Sequence, residues 1–276
     1  MKNVSVAGVD IPVLGVGTWK LTGEACAPLV AAALKGGYRH VDTAAVYGNE
    51  VEVGEGLRAS GVPREAVFLT TKVWRDDLAE SELERAAEAS LRRLGVDQVD
   101  LLLVHWPNEA FPLAGTMKAL ARAKRRGLAR AIGVSNYPVA LLEEATALCP
   151  EPLAVNQVEY HPYLSQRRVL EAVRRHGMAL TAYSPLAEGN ALRDPAIAEI
   201  ARAHDATPAQ VAIAWLIRQP GVIAIPKTAS PERAAQNLKA AELRLSDDEA
   251  ARIAALARPD GRQISFGGWV RWDPAD

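Results

Sequence analysis

The feature that most constrains this chain is a repeat of pattern rather than of residues. Short β-rich runs alternate with amphipathic helical stretches eight times along it. The runs are LGVGTW (14–19), HVDTA (40–44), VFLTTKV (67–73), VDLLLVHW (99–106), ARAIGVS (129–135), LAVNQVEY (153–160), ALTAYSP (179–185) and VIAIPK (222–227). Stretches such as EACAPLVAAALKGG, SELERAAEASLRRLG and SQRRVLEAVRRHG separate them. Each closes near a glycine, which ends a helix in the left-handed conformation at no steric cost. Eight strand–helix units in about 250 residues point to an α/β fold of the (β/α)8 TIM-barrel type rather than an open doubly wound sheet. One such barrel accounts for residues 1–276 as a single domain. The opening VSVAGVDIPVL reads as a β-hairpin around a Gly-Val-Asp turn, placed to close the bottom of the barrel. A short C-terminal tail follows Pro259. Residues 194–219 hold two helical patterns in series, with Thr207-Pro208 as N-cap and first-turn pair.

Composition narrows the function classes. With 49% apolar residues there is enough material for a large core, and a net charge of −1 argues against a nucleic-acid or membrane-surface partner. The basic run KRRGLAR (124–130) falls where a helix should end and complements its dipole. Cys26 and Cys149 have no second Cys or His nearby, so neither a disulfide framework nor a zinc site is expected, which fits a reducing compartment. No run reaches about 18 apolar residues, and no secretory leader pattern opens the chain. A cytoplasmic monomer acting on a small molecule, without a metal, is the expectation.

A barrel of this kind places its chemistry at the C-terminal ends of the strands. The residues there are Trp19, Asp42 with Tyr47, Lys72 with Trp74, His105 with Trp106, Ser135-Asn136, the segment from Gln157 to Tyr160, Tyr183-Ser184 and Lys227-Thr228. Asp42, Lys72 and His105 end three consecutive strands about 4.8 Å apart, and Tyr47 follows the first, so the four can meet. A free tyrosine is a weak acid, with a pKa of about 10. An ammonium within about 4–6 Å is expected to lower it. Asp42 would keep Lys72 charged and oriented, and His105 would direct a carbonyl oxygen. That set makes a proton donor matched to a developing alkoxide, as carbonyl reduction requires.

A hydride source is then needed. GVGTWK (15–20) begins like a dinucleotide fingerprint, but Lys20 stands where the third glycine belongs and no helix follows directly. The better anion site is IPKTASPERAAQN (225–237). Ser230 and Pro231 open a helix there whose free N–H groups face outward, and Lys227 and Arg233 flank it. Two cations suit a 2′-phosphate, favouring NADP(H) over NAD. Tyr183 can stack on a nicotinamide, the SPL that follows can meet the pyrophosphate, and Ser135, Asn136 and Gln157 can hold a carboxamide.

The motifs GYRHVDTAAVYGNE, TTKVW, LLLVHWP, IGVSNY, NQVEYHPYL, AYSPL and IPKTASPERAAQNL, in this order, resemble the aldo-keto reductase superfamily over almost the whole chain. The resemblance implies NADP(H)-dependent carbonyl reduction, with Tyr47 as general acid beside Asp42, Lys72 and His105. It places the cofactor on Ser135, Asn136, Gln157, Tyr183, Ser184, Leu186, Lys227, Thr228, Arg233, Gln236 and Asn237. The subgroup it is most similar to is the short bacterial reductases of 2,5-diketo-D-gluconate and methylglyoxal. Short loops imply an open pocket lined by Trp19, Trp74, His105, Trp106 and Trp269, suited to small aldehydes, α-dicarbonyls and keto-sugars. Two other readings remain open at this stage: a non-catalytic, redox-sensing NADP(H)-binding subunit, and an aldolase using Lys72 as a Schiff base.

Overall fold

The computed structural model describes residues 2–266, 268 and 270–274. All eight expected strands are present, as β3 (Val16–Gly17), β4 (His40–Asp42), β5 (Phe68–Val73), β6 (Val99–Val104), β7 (Ala129–Ser135), β8 (Leu153–Glu159), β9 (Ala179–Tyr183) and β10 (Val222–Ala224). Neighbours pair in parallel in chain order from β3 to β10. Parallel bridges Leu14 to Ala224 and Gly17 to Lys227 then join the two ends, so the sheet closes into the (β/α)8 barrel. The closure is hydrogen-bonded: Gly15 N–H donates to the Ala224 carbonyl at 2.9 Å and Gly17 N–H to that of Pro226 at 3.0 Å.

This closure accounts for the glycines of GVGTWK. A Cβ on Gly15 would lie 2.7 Å from the His40 ring, and one on Gly17 would lie 2.9 Å from the Ile225 carbonyl oxygen. They let strands meet rather than cradle a phosphate. β3 and β10 are shorter than the sequence suggests. Lys20 turns the chain with φ of 60°, and Pro226 has no N–H to continue a ladder.

Eight helices follow the strands on the outside or complete the return: α1 (Cys26–Lys35), α2 (Glu50–Ala59), α3 (Leu83–Leu94), α4 (Leu113–Arg125), α5 (Val139–Leu148), α6 (Arg167–Arg175), then α7 (Pro195–Ala203) and α8 (Pro208–Ile217) in series, as the pattern over 194–219 predicts. Two more, α9 (Pro231–Leu238) and α10 (Asp247–Ala254), complete the chain's helices among the described residues. Thr207 caps α8 in a reciprocal capping box with Gln210, and Ser230 caps α9 by accepting from Arg233 N–H at 3.1 Å. Among the described residues no helix is long and apolar enough to cross a membrane.

The hairpin ahead of the barrel consists of β1 (Asn3–Val6) and β2 (Val9–Pro12), antiparallel with Val6 opposite Val9. Its turn is Ala7-Gly8, with φ of 47° and 79°, and not the expected Gly-Val-Asp. Val9 and Asp10 already belong to β2. Two consecutive positive φ values give the primed turn whose twist matches that of the strands. Val9 and Ile11 pack against Phe68, Leu101, Ala131, Ala179 and Ile223 at the strand starts, which plugs the barrel bottom.

Period-2 alternation carries this apolar interior up to the opposite end. On β5 the inward residues run Phe68, Thr70, Lys72; on β6, Leu101 and Leu103 lead to His105. On β8, Val155 leads to Gln157 and Glu159, and on β9, Ala179 leads to Tyr183. The alternate residues Leu69, Leu102, Val158 and Leu180 face the helices. One stripe per strand therefore starts greasy and ends chemically active.

Candidate active site

The ends of those stripes converge. The Lys72 ammonium donates to Asp42 Oδ1 at 2.5 Å, to the Thr43 carbonyl at 2.8 Å and to Tyr47 Oη at 3.4 Å. Asp42 Oδ2 accepts from Gln157 Nε2 at 2.8 Å. Lys72 and Asp42 are 0% and 2% exposed, so the pair is sealed from water and each charge depends on the other. Lys72 hydrogen-bonds both Asp42 and Tyr47 and so bridges them, the link the sequence suggests.

Tyr47 closes a short 3-10 turn (Ala45–Tyr47), which Gly48 ends in the left-handed region with φ of 67°. The turn is held by Asn49, which is buried. Asn49 Nδ2 donates to the carbonyls of Thr18 at 2.9 Å and Leu21 at 2.8 Å, and its Oδ1 accepts from Thr43 Oγ1 at 3.1 Å. Asn49 thus ties the loop of Tyr47 to the loop carrying Trp19, whose ring lies 4.8 Å from that of Tyr47. Beside it, the buried Glu50 accepts from Thr71 Oγ1 at 2.5 Å and from Arg93 Nε at 2.8 Å. Neither residue was singled out from sequence. Their only signal was adjacency to Tyr47 in YGNE.

The protonation states correct one expectation. Burial, reinforced by the Asp42 carboxylate, pushes the Tyr47 phenol well above its ordinary value, and the neighbouring ammonium does not reverse this. Tyr47 is a protonated acid. Burial lowers Lys72, while Asp42 opposes that shift. Burial and the Lys72 ammonium together hold His105 well below the ordinary histidine value, so its imidazole is neutral. A neutral imidazole carries one N–H to donate and one nitrogen to accept. His105 is 8% exposed, its Nδ1 has no hydrogen-bond partner among the described residues, and the rings of Tyr47 and Trp74 stand edge-on at 5.5 and 5.4 Å.

His40 is buried and lowered by desolvation too. Below about pH 6.5 the unfolded chain binds protons that these two rings refuse, so stability rises with pH and is lost as pH falls. The melting temperature should be lower at pH 5 than at pH 7, and the drop should shrink in His105→Gln. An equal drop in both proteins would contradict the assignment.

The residues expected to meet a cofactor form a second group, at the ends of β7 to β10. Tyr183 Oη donates to Asn136 Oδ1 at 2.8 Å, Asn136 Nδ2 donates to Ser135 Oγ at 3.0 Å and to the His105 carbonyl at 3.0 Å, and Ser135 Oγ donates to the Gln157 carbonyl at 2.8 Å. Backbone φ is positive at Asn136, Ser184, Ala187 and Glu188, so the loop leaving β9 with Leu186 is held in an unusual shape. Glu188 accepts from Ser184 Oγ at 2.9 Å and lies 3.9 Å from Lys20. At the start of α9, Lys227 and Arg233 are exposed with no acidic partner among the described residues. Thr228 Oγ1 accepts from Ser230 N–H at 3.1 Å, Gln236 is exposed, and Asn237 is buried. Two unpaired cations at a capped helix start fit the phosphate end of a dinucleotide.

Three tryptophans rim the opening. Trp19 is exposed, Trp74 half-buried, and Trp106 buried beneath Phe266 and Trp272, whose rings stand edge-on at 5.2 and 6.0 Å. Trp269 lies outside the described residues.

The closed eight-strand barrel thus carries an Asp–Lys–Tyr chain beside a neutral His at one end, with two exposed cations beyond its last strand. The chain belongs to the aldo/keto reductase family, whose model matches residues 13–258. Members of this family are NADP(H)-dependent oxidoreductases acting on carbonyl and alcohol groups. The chain is 44% identical over 270 residues to an aldo-keto reductase of Mycolicibacterium smegmatis, covering 95% of this chain and 97% of the relative. It is 41% identical over 266 residues to the methylglyoxal reductase DkgB of Escherichia coli O157:H7, covering 95% and 99%. It superposes on the crystal structure of a provisionally assigned 2,5-diketo-D-gluconic acid reductase B with a TM-score of 0.97 and 45% identity, covering 99% of this chain and 98% of the other.

Proposed function

We propose that the protein reduces small aldehydes, α-dicarbonyls or keto-sugars with NADPH, and that Tyr47 delivers the proton. The observation that carries this reading is the chain from Asp42 through Lys72 to Tyr47, ending beside a neutral His105. When bound, NADPH supplies the hydride to the carbonyl carbon. Tyr47 Oη gives its proton to the carbonyl oxygen as that oxygen takes on alkoxide character. The phenolate left behind is stabilised by the Lys72 ammonium 3.4 Å away, and the Asp42 carboxylate keeps that ammonium charged. His105 donates its N–H to the carbonyl oxygen and fixes its direction toward Tyr47. The Asp42–Lys72 pair behind Tyr47 is sealed from water, where such interactions are strong.

Ser135, Asn136 and Gln157 would hold the carboxamide, Tyr183 would stack on the ring, and Ser184 and Leu186 would lie along the pyrophosphate. Lys227, Thr228, Arg233, Gln236 and Asn237 would hold the adenosine end. The names of the relatives support the substrate class, since methylglyoxal is an α-dicarbonyl and 2,5-diketo-D-gluconate a keto-sugar acid. A panel of these carbonyls assayed by NADPH consumption tests the reading, and no turnover of any of them would end it.

The cofactor preference follows from Lys227 and Arg233. Charged hydrogen bonds contribute about 1.5–3 kcal/mol each. Lys227→Ala with Arg233→Ala should therefore raise the KM for NADPH by about a hundredfold or more and leave that for NADH nearly unchanged. Equal efficiency with both cofactors in the parent protein would contradict the assignment.

A further inference from the structure

One buried carboxylate near the site is not used by the reaction. Glu159, at the end of β8, is fully buried and lies on the same inward stripe as Gln157. Its Oε1 accepts from the backbone N–H of Gln263 at 2.7 Å and from His161 Nε2 at 2.9 Å. Its Oε2 accepts from the backbone N–H of Ile264 at 3.0 Å, and the Arg262 guanidinium lies 3.6 Å away. His161 Nδ1 itself accepts from Tyr163 N–H at 3.3 Å, so Nε2 carries the ring's proton. A carboxylate taken out of water is costly unless its lone pairs are filled. Here two backbone donors of the C-terminal tail and His161 Nε2 fill them, and the Arg262 guanidinium 3.6 Å away adds an opposite charge without a hydrogen bond, so the tail is bound to the barrel by charge-assisted contacts rather than by loose packing.

The tail is seated at two further points. A Cβ on Gly261 would lie 1.8 Å from the Tyr163 carbonyl oxygen, so only glycine lets the chain turn in so close to the barrel. Farther along, the Asp273 carboxylate accepts from Val139 N–H at 3.0 and 3.3 Å at the start of α5. Between these seats the Arg262 guanidinium lies 3.5 Å above the Trp272 ring, a cation–π contact. Trp272 and Phe266 in turn stand against Trp106, the residue directly after His105. A continuous series of contacts therefore runs from Glu159 through Arg262 and Trp272 to the wall beside His105.

We propose that Glu159 is a positioning residue for the substrate pocket: its buried carboxylate seats the tail so that Trp272 and Phe266 close over Trp106, and this sets how tightly a carbonyl substrate is held beside His105. The inference rests on the carbonyl-reductase reading of the site. It concerns substrate binding rather than proton transfer, because the side-chain contacts of Glu159 run to the tail and to His161.

The test is Glu159→Gln, which keeps the shape and removes the charge. The KM for methylglyoxal should rise about tenfold or more while kcat stays within about threefold, the signature of lost uniform binding. NADPH affinity should not change. In limited trypsin digestion of the full-length protein, cleavage after Arg262 and Arg271 should become about tenfold faster, reporting release of the tail. Asp273→Ala, at the outer seat, should shift KM and cleavage in the same direction by less. An unchanged KM, or a fall in kcat in proportion to its rise, overturns the inference. If Glu159→Gln does not fold, unchanged KM and cleavage in Asp273→Ala overturn it instead. If the parent reduces no carbonyl, the reductase reading fails by itself. Equal cleavage of parent and Glu159→Gln then still decides against the seat.

Discussion

A Tyr47→Phe protein is expected to lose carbonyl reduction by about 10²- to 10⁴-fold in kcat, the usual contribution of a general acid, while binding NADPH as the parent does. The reason is local. The ring of Tyr47 stays packed against Trp19 and His105, so the substitution removes only the hydroxyl 3.4 Å from Lys72. That hydroxyl is one weak contact of the folded state, so stability should change by roughly 0.5–1.5 kcal/mol at most. In the mechanism proposed above the same oxygen supplies a proton in the transition state and then bears a charge beside an ammonium. The loss therefore falls on turnover, not on folding and not on cofactor binding. Steady-state kinetics beside a fluorescence titration with NADPH would separate the three.

Lys72→Met should damage both turnover and the fold. It leaves the Asp42 carboxylate 2% exposed, with Gln157 and no cation. Breaking a buried pair on one side costs about 3–5 kcal/mol, which for a chain of this size lowers the melting temperature by about 10 °C. Adding Asp42→Asn removes the stranded charge. The double variant should regain much of the stability and none of the activity, since the phenolate still lacks its ammonium. Thermal melts of the two variants measure the coupling directly. A double variant no more stable than Lys72→Met would mean that the pair is not the buried unit described.

The barrel was legible because two rules act locally and agree. Alternation marks each strand, and capping pairs such as Thr207-Pro208 and Ser230-Pro231 mark where helices begin. The Asp42, Lys72 and His105 cluster was legible for a related reason. Parity places a residue inside or outside the barrel, and a strand end places it at the top. What sequence could not give is the outcome of competing energies. The expectation that Lys72 would lower the Tyr47 phenol considered the charge and neglected the burial, and burial wins. The hairpin turns at Ala7-Gly8 rather than at Gly8-Val9-Asp10, because Ala7 adopts a positive φ that its type does not advertise. Long-range polar contacts were also hidden. Nothing near Glu159 in NQVEYHPYL announces that its donors lie at Gln263 and Ile264, and nothing in YGNE shows that Asn49 reaches Thr18 and Leu21.

The central claim is that Tyr47 donates the proton to a carbonyl held beside His105. It is tested most directly by rapidly mixing the preformed enzyme–NADPH complex with methylglyoxal and following loss of NADPH absorbance in a single turnover. The parent should oxidise its bound NADPH in one exponential phase, and Tyr47→Phe, with NADPH bound to the same extent, should oxidise it about 10² to 10⁴ times more slowly. Oxidation at the parental rate by Tyr47→Phe would contradict the account.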